Sequence, residues 1–146
     1  TQHFAKSANG RIGKKQLARL RSILEREKSP IIIVLHHHVA MPGYRIGKKS
    51  KRNRKPLPIM NLVDVKEFWE AIAPFEKKIS AILNGHRHTG YETSLQSGIK
   101  VFSSPSSTLK CEDSGEEFYW HLEVDESSGN VNARKELFSS DKESAG

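Results

Sequence analysis

Apolar residues recur at helical spacing at Leu17, Leu20, Ile23 and Leu24, which predicts an amphipathic helix over 14–27. Gly13 fits its N-cap with Gln16 as capping-box partner, and Ser29-Pro30 ends it. IIIVL (31–35) follows, apolar without alternation and β-branched at four of five positions. That pattern predicts a central strand covered on both faces, as in a parallel sheet. A second apolar stripe, Val65, Phe68, Trp69 and Ile72, predicts a helix from Asp64 with its two aromatic residues in the core. Asp64 and Glu67 have capping-box spacing, and Pro74 should end or kink this helix. ISAILN (79–84) reads as the next strand, so the order strand, crossover with helix, strand predicts a βαβ unit with parallel strands and a right-handed crossover. Downstream, YETSLQSGIKVFSS predicts two strands around Gln96-Ser97-Gly98, and FYWHLEV (118–124) pairs with VNARKELF (131–138) around ESSGN. The expected class is α/β, a βαβ unit followed by a β meander.

Between the two helices, residues 39 to 63 form a long loop with three prolines. Loops of that length inside a domain are often functional or disordered. Within it RIGKKSKRNRK (45–55) carries seven Lys or Arg and no acid, a large share of a net charge of +7. The run can attract an anionic substrate or nucleic acid, although no aromatic residue interleaves the charges as a stacking platform. RIGKK occurs twice, at 11–15 and 45–49, but the flanks differ and no repeat follows. The chain of 146 residues is 36% hydrophobic and 28% charged, which suits one soluble, rather polar domain. There is no apolar signal core, and the longest apolar run is the five residues of IIIVL, far below the ~20 of a membrane helix. Cys111 is the single cysteine, so no internal disulfide forms, and nothing beside it would activate a thiolate. These features predict a cytoplasmic protein. The absence of an initial methionine is the pattern of a fragment or processed piece, and the tail 139–146 reads as disordered.

Five of the seven histidines stand directly after the two βαβ strands: His36, His37 and His38 after IIIVL, His86 and His88 after ISAILN and one glycine. In parallel α/β sheets ligands bind at the carboxyl ends of strands. Neutral imidazole is a common ligand for zinc, iron and manganese. Gly85 and Gly90 are expected to let the backbone turn sharply, and a His-x-His pair there can reach two adjacent ions. If the strands are neighbours, the clusters meet and form a metal site.

The order Gly10, Ile12, Gln16, Leu17, then strand-His-His, then Asn-Gly-His-Arg-His (84–88), then Ser-Ser-Pro-Ser-Ser-Thr (103–108) resembles the C-terminal half of the calcineurin-like metallophosphoesterases, in particular the branch with the bacterial cyclic-nucleotide phosphodiesterases. The resemblance covers about residues 10 to 137. It implies a four-layer α/β/β/α sandwich around two divalent metal ions (Mn, Fe or Zn). It also implies His36 and His86 as ligands of one ion and His88 as ligand of the other, with His37 the alternative to His36. His37, His38 and Asn84 would stand around the ligands, with the surface as the alternative place for His38, so that His38→Ala costs little. Arg45, Lys48 and Lys49 would guide the anionic substrate. The family often has Pro-Pro after its His-His, where this chain has His38 and Val39. The family's upstream Asp-x-His, Gly-Asp-x-x-Asp and Gly-Asn-His motifs are absent, and the four aspartates (64, 113, 125, 141) stand in caps, turns or the tail.

The resemblance therefore implies phosphoester hydrolysis by an enzyme of which residues 1–138 supply the histidine-rich portion, inactive alone and associating with a missing N-terminal half or with itself through an exposed sheet edge. The alternatives are an inactive scaffold of the same fold and nucleic-acid binding through 45–55.

Overall fold

The computed structural model describes residues 9–40, 62–86, 88–95, 97–105 and 117–138. The predicted tail, Arg45, Lys48, Lys49 and all but the ends of the 39–63 loop lie outside them. Helix α1 spans Lys14–Arg26 and helix α2 Val65–Ile72, continued by a 3-10 turn over Ala73–Lys78. The switch falls at Pro74, whose ring and missing N–H are incompatible with a continuing α-helix. Strands are β1 (Ile31–Val34), β2 (Ile79–Asn84), β3 (Tyr91–Ser94), β4 (Lys100–Ser103), β5 (Phe118–Val124) and β6 (Val131–Leu137). The fold is mixed α/β, with a four-stranded sheet in the order β1-β2-β4-β3 and a separate β5–β6 hairpin.

β1, β2 and β4 run parallel, and β3 returns antiparallel to β4. The sheet therefore alternates its side chains between two covers. Leu24, Phe68 and Ile72 of the helices bury Ile33, Ile82 and Val101 on one face. Trp120, Leu122, Val131 and Ala133 of the hairpin bury Ala81, Leu83 and Phe102 on the other. The adjacent pairs Ala81/Ile82 and Val101/Phe102 point opposite ways, as a period of two requires.

Three expectations need correction. β1 is an edge strand among the described residues, not a central one, and its Val34 is 73% exposed. The second half is not one meander, because β4 inserts beside β2 as a parallel strand. Neither capping box forms: α1 and α2 have no side-chain cap bond. Asp64 instead reaches across the fold, where its carboxylate accepts the N–H of Ile12 at 3.0 Å and of Gly13 at 2.7 Å. The start of α1 is thus braced by the start of α2, and a parallel bridge between Gly10 and Leu62 supports it. At the other end of α1, Lys78 Nζ donates to the carbonyls of Leu24 and Glu27, both at 2.9 Å, placing a cation on the negative end of the helix. No helix of the described residues is long and apolar enough to cross a membrane.

Candidate metal centre

The β1–β2 ladder runs past the strand ends. Leu35 N–H donates to Leu83 O at 3.0 Å and Gly85 N–H to His36 O at 3.1 Å. On the other side of β2, Ser104 N–H donates to Asn84 O at 3.0 Å. Parallel pairing therefore brings the turns after β1 and β2 together at one sheet edge, as the sequence predicts for neighbouring strands. His36 Nε2 lies 2.8 Å from His86 Nδ1. The His37 ring completes a cluster, its centroid 4.2 Å from that of His86 and 5.1 Å from that of His36.

The glycines serve a different purpose from the one expected. The left-handed residues in the second turn are His86 (φ 77°) and His88 (φ 54°), not Gly85 or Gly90. Each such conformation costs about 1 kcal/mol or more for a residue with a Cβ, so the surroundings must enforce it. Gly90 enables close packing: a Cβ there would stand 2.2 Å from Cζ of Phe118. Ser103, fully buried at the end of β4, donates its hydroxyl to Thr89 O at 2.7 Å. Gly10 plays the matching part in the first turn, because a Cβ there would stand 2.3 Å from Nδ1 of His37. Its backbone backs the imidazole directly.

His38 is not a surface residue. It is buried, with Nδ1 2.6 Å from the Tyr91 hydroxyl, and that hydroxyl in turn donates to Ala40 O. Asn84 is also buried, and neither of its amide atoms has a hydrogen-bond partner among the described residues. His88 is exposed. Tyr91 was invisible as a site residue in the sequence, where it read as a strand residue, and Gly10 stood out only as the first position of the Gly10, Ile12, Gln16, Leu17 pattern.

Two imidazole nitrogens at 2.8 Å share one proton as N–H···N. With metal–nitrogen bonds of ~2.1 Å, two ligands of one ion stand roughly 3.0 Å apart at a right angle and 3.4 Å at a tetrahedral angle. The His36–His86 pair would need to lose that proton and open by only a few tenths of an ångström to hold one ion. Its donor set thus fits half of a coordination shell. Among the described residues no group of three His, Cys, Asp or Glu is arranged about one ion position. Asp64 is committed to Ile12 and Gly13, and Asp125 sits in the β5–β6 turn accepting the hydroxyl and N–H of Ser127. No model of a known protein family matches this chain, and no curated protein matches it.

Proposed function

We propose that the chain is the histidine-bearing portion of a metal-dependent phosphoesterase whose complete fold is a four-layer α/β/β/α sandwich. The observation that carries this reading is the pairing of His36 with His86 at the carboxyl ends of adjacent parallel strands. In it, His36 and His86 share one divalent ion, Mn, Fe or Zn, and His88 binds a second. His37, backed by Gly10, packs against the His86 ring and keeps it in place. A binuclear centre supplies a hydroxide nucleophile at neutral pH and neutralises charge on the phosphoryl oxygens. The lysines and arginines of 45–55 raise the local concentration of the anionic ester.

The carboxylates that complete such a centre come from a second segment. The edge and face of β1 that no strand among the described residues pairs with, where Val34 is 73% exposed, is where the sheet can continue into it. Hydrolysis of bis(p-nitrophenyl) phosphate with manganese tests the assignment. The 146-residue chain alone should give no turnover above free manganese, and the chain joined to a carboxylate-bearing segment should give turnover that His86→Ala abolishes. Robust turnover by the chain alone, or a joined protein indifferent to His86→Ala, would overturn it.

A further inference from the structure

The Tyr91 hydroxyl has a single proton, and it goes to the Ala40 carbonyl, which can only accept. The contact of 2.6 Å between the same oxygen and His38 Nδ1 therefore requires the imidazole to donate. His38 is held with its proton on Nδ1, because the partner of one ring nitrogen decides the tautomer. Both ends of this chain of bonds matter for the site. His38 and Ala40 belong to the turn that carries His36 and His37. Tyr91 closes the turn that carries His86 and His88, and its own ring is buried.

We propose that Tyr91 is a positioning residue for the histidine cluster: by donating to Ala40 and accepting from His38, it ties the 36–40 turn to the 85–91 turn and fixes His36 against His86. The ladder bond from Gly85 to His36 joins the same two turns at their near ends, and Tyr91 joins them at their far ends. Two attachments stop the turns rotating about one another, which a single backbone bond does not. The second turn is pinned from behind by Ser103 on Thr89 and by Gly90 against Phe118, so Tyr91 projects from a fixed base. This arrangement makes His38, placed beside a ligand and not among the ligands, important for the geometry of its neighbours. The consequence for metal binding rests on the phosphoesterase reading; the clamp itself does not.

The test uses the uniformly 15N-labelled chain. Long-range 1H–15N spectra give the tautomer of each histidine, with the His38 signals identified by their absence in His38→Asn. The expected result is an Nδ1–H tautomer for His38, lost in Tyr91→Phe, together with loss of the nuclear Overhauser effect between the His36 and His86 rings. Retained amide dispersion in Tyr91→Phe shows that the fold survives. Cobalt(II) titration supplies the second readout. Tyr91→Phe and His38→Ala should weaken binding by roughly 10-fold or more, the usual effect of removing a hydrogen-bond support around a ligand. His38→Asn, whose amide N–H can occupy the place of Nδ1–H, should recover most of that loss. An Nε2–H tautomer in the wild type, an unchanged ring–ring contact in Tyr91→Phe, or equal loss in His38→Asn and His38→Ala would overturn the clamp. If the wild-type chain binds no cobalt(II), the metal assignment fails, and the tautomer and ring contact decide the clamp by themselves.

Discussion

Removing the Asp64 carboxylate should unfasten α1 from α2. In Asp64→Ala the N–H groups of Ile12 and Gly13 lose acceptors at 3.0 and 2.7 Å, one on each carboxylate oxygen. Hydrogen bonds to a charged group contribute about 1.5–3 kcal/mol each, and water can reach these half-buried amides in part, so the expected loss is ~2–4 kcal/mol. Asp64→Asn keeps one acceptor and should fall between. The effect has a pH signature. Burial raises the Asp64 pKa, but the N–H groups of Gly13 and Ile12 and the charge of Arg11 outweigh it, holding the pKa below 3.8. A carboxyl depressed in the folded state stabilises at pH above its unfolded value, and the contribution disappears as pH falls through the folded value. The stability gap between wild type and Asp64→Asn should therefore be full at pH 7 and shrink below about pH 4. Urea unfolding followed by the fluorescence of Trp69 and Trp120 measures it. A loss under about 0.5 kcal/mol in Asp64→Ala, within ordinary surface variation, or a gap that stays constant from pH 7 to pH 3, would refute the bracing role.

Other expectations follow from single contacts. Gly10→Ala places a Cβ inside the His37 ring position, so it should cost about 1–3 kcal/mol and displace the His37 ring from His86 in NMR spectra, while leaving His36 near His86. Phe68→Ala, at 1% exposure between the helices and the sheet, should cost about 3–5 kcal/mol in urea unfolding; a loss below 1 kcal/mol would contradict the helix-side core. Val34→Lys should lower self-association in sedimentation with stability nearly unchanged, because an edge lysine blocks strand addition; unchanged association would exclude the β1 edge as the contact.

Local periodicity made the elements legible. The stripe Val65, Phe68, Trp69 and Ile72 and the apolar ISAILN predict α2 and β2 to within a residue, since each carries its own burial pattern. The meeting of the two histidine turns was legible too, because it depends only on β1 and β2 being neighbours. Edge position was not: IIIV is equally apolar whether or not a partner covers it, and coverage is decided by segments elsewhere. Asp64 misled because N-cap chemistry and a long-range bond to Ile12 and Gly13 ask for the same residue. Gly90 misled because a glycine required for close approach looks in sequence like one required for a turn. Tyr91 carries no sequence signal, since its partners His38 and Ala40 lie about fifty positions away.

The most direct test of the metal assignment is a double-mutant cycle on cobalt(II) affinity across the wild-type chain, His36→Ala, His86→Ala and the double variant. Two ligands of one ion should be strongly non-additive: each single change should cost roughly 10-fold or more, and the double change little beyond either. Single variants that bind as the wild type does, or losses that simply add, would contradict a shared ion between His36 and His86.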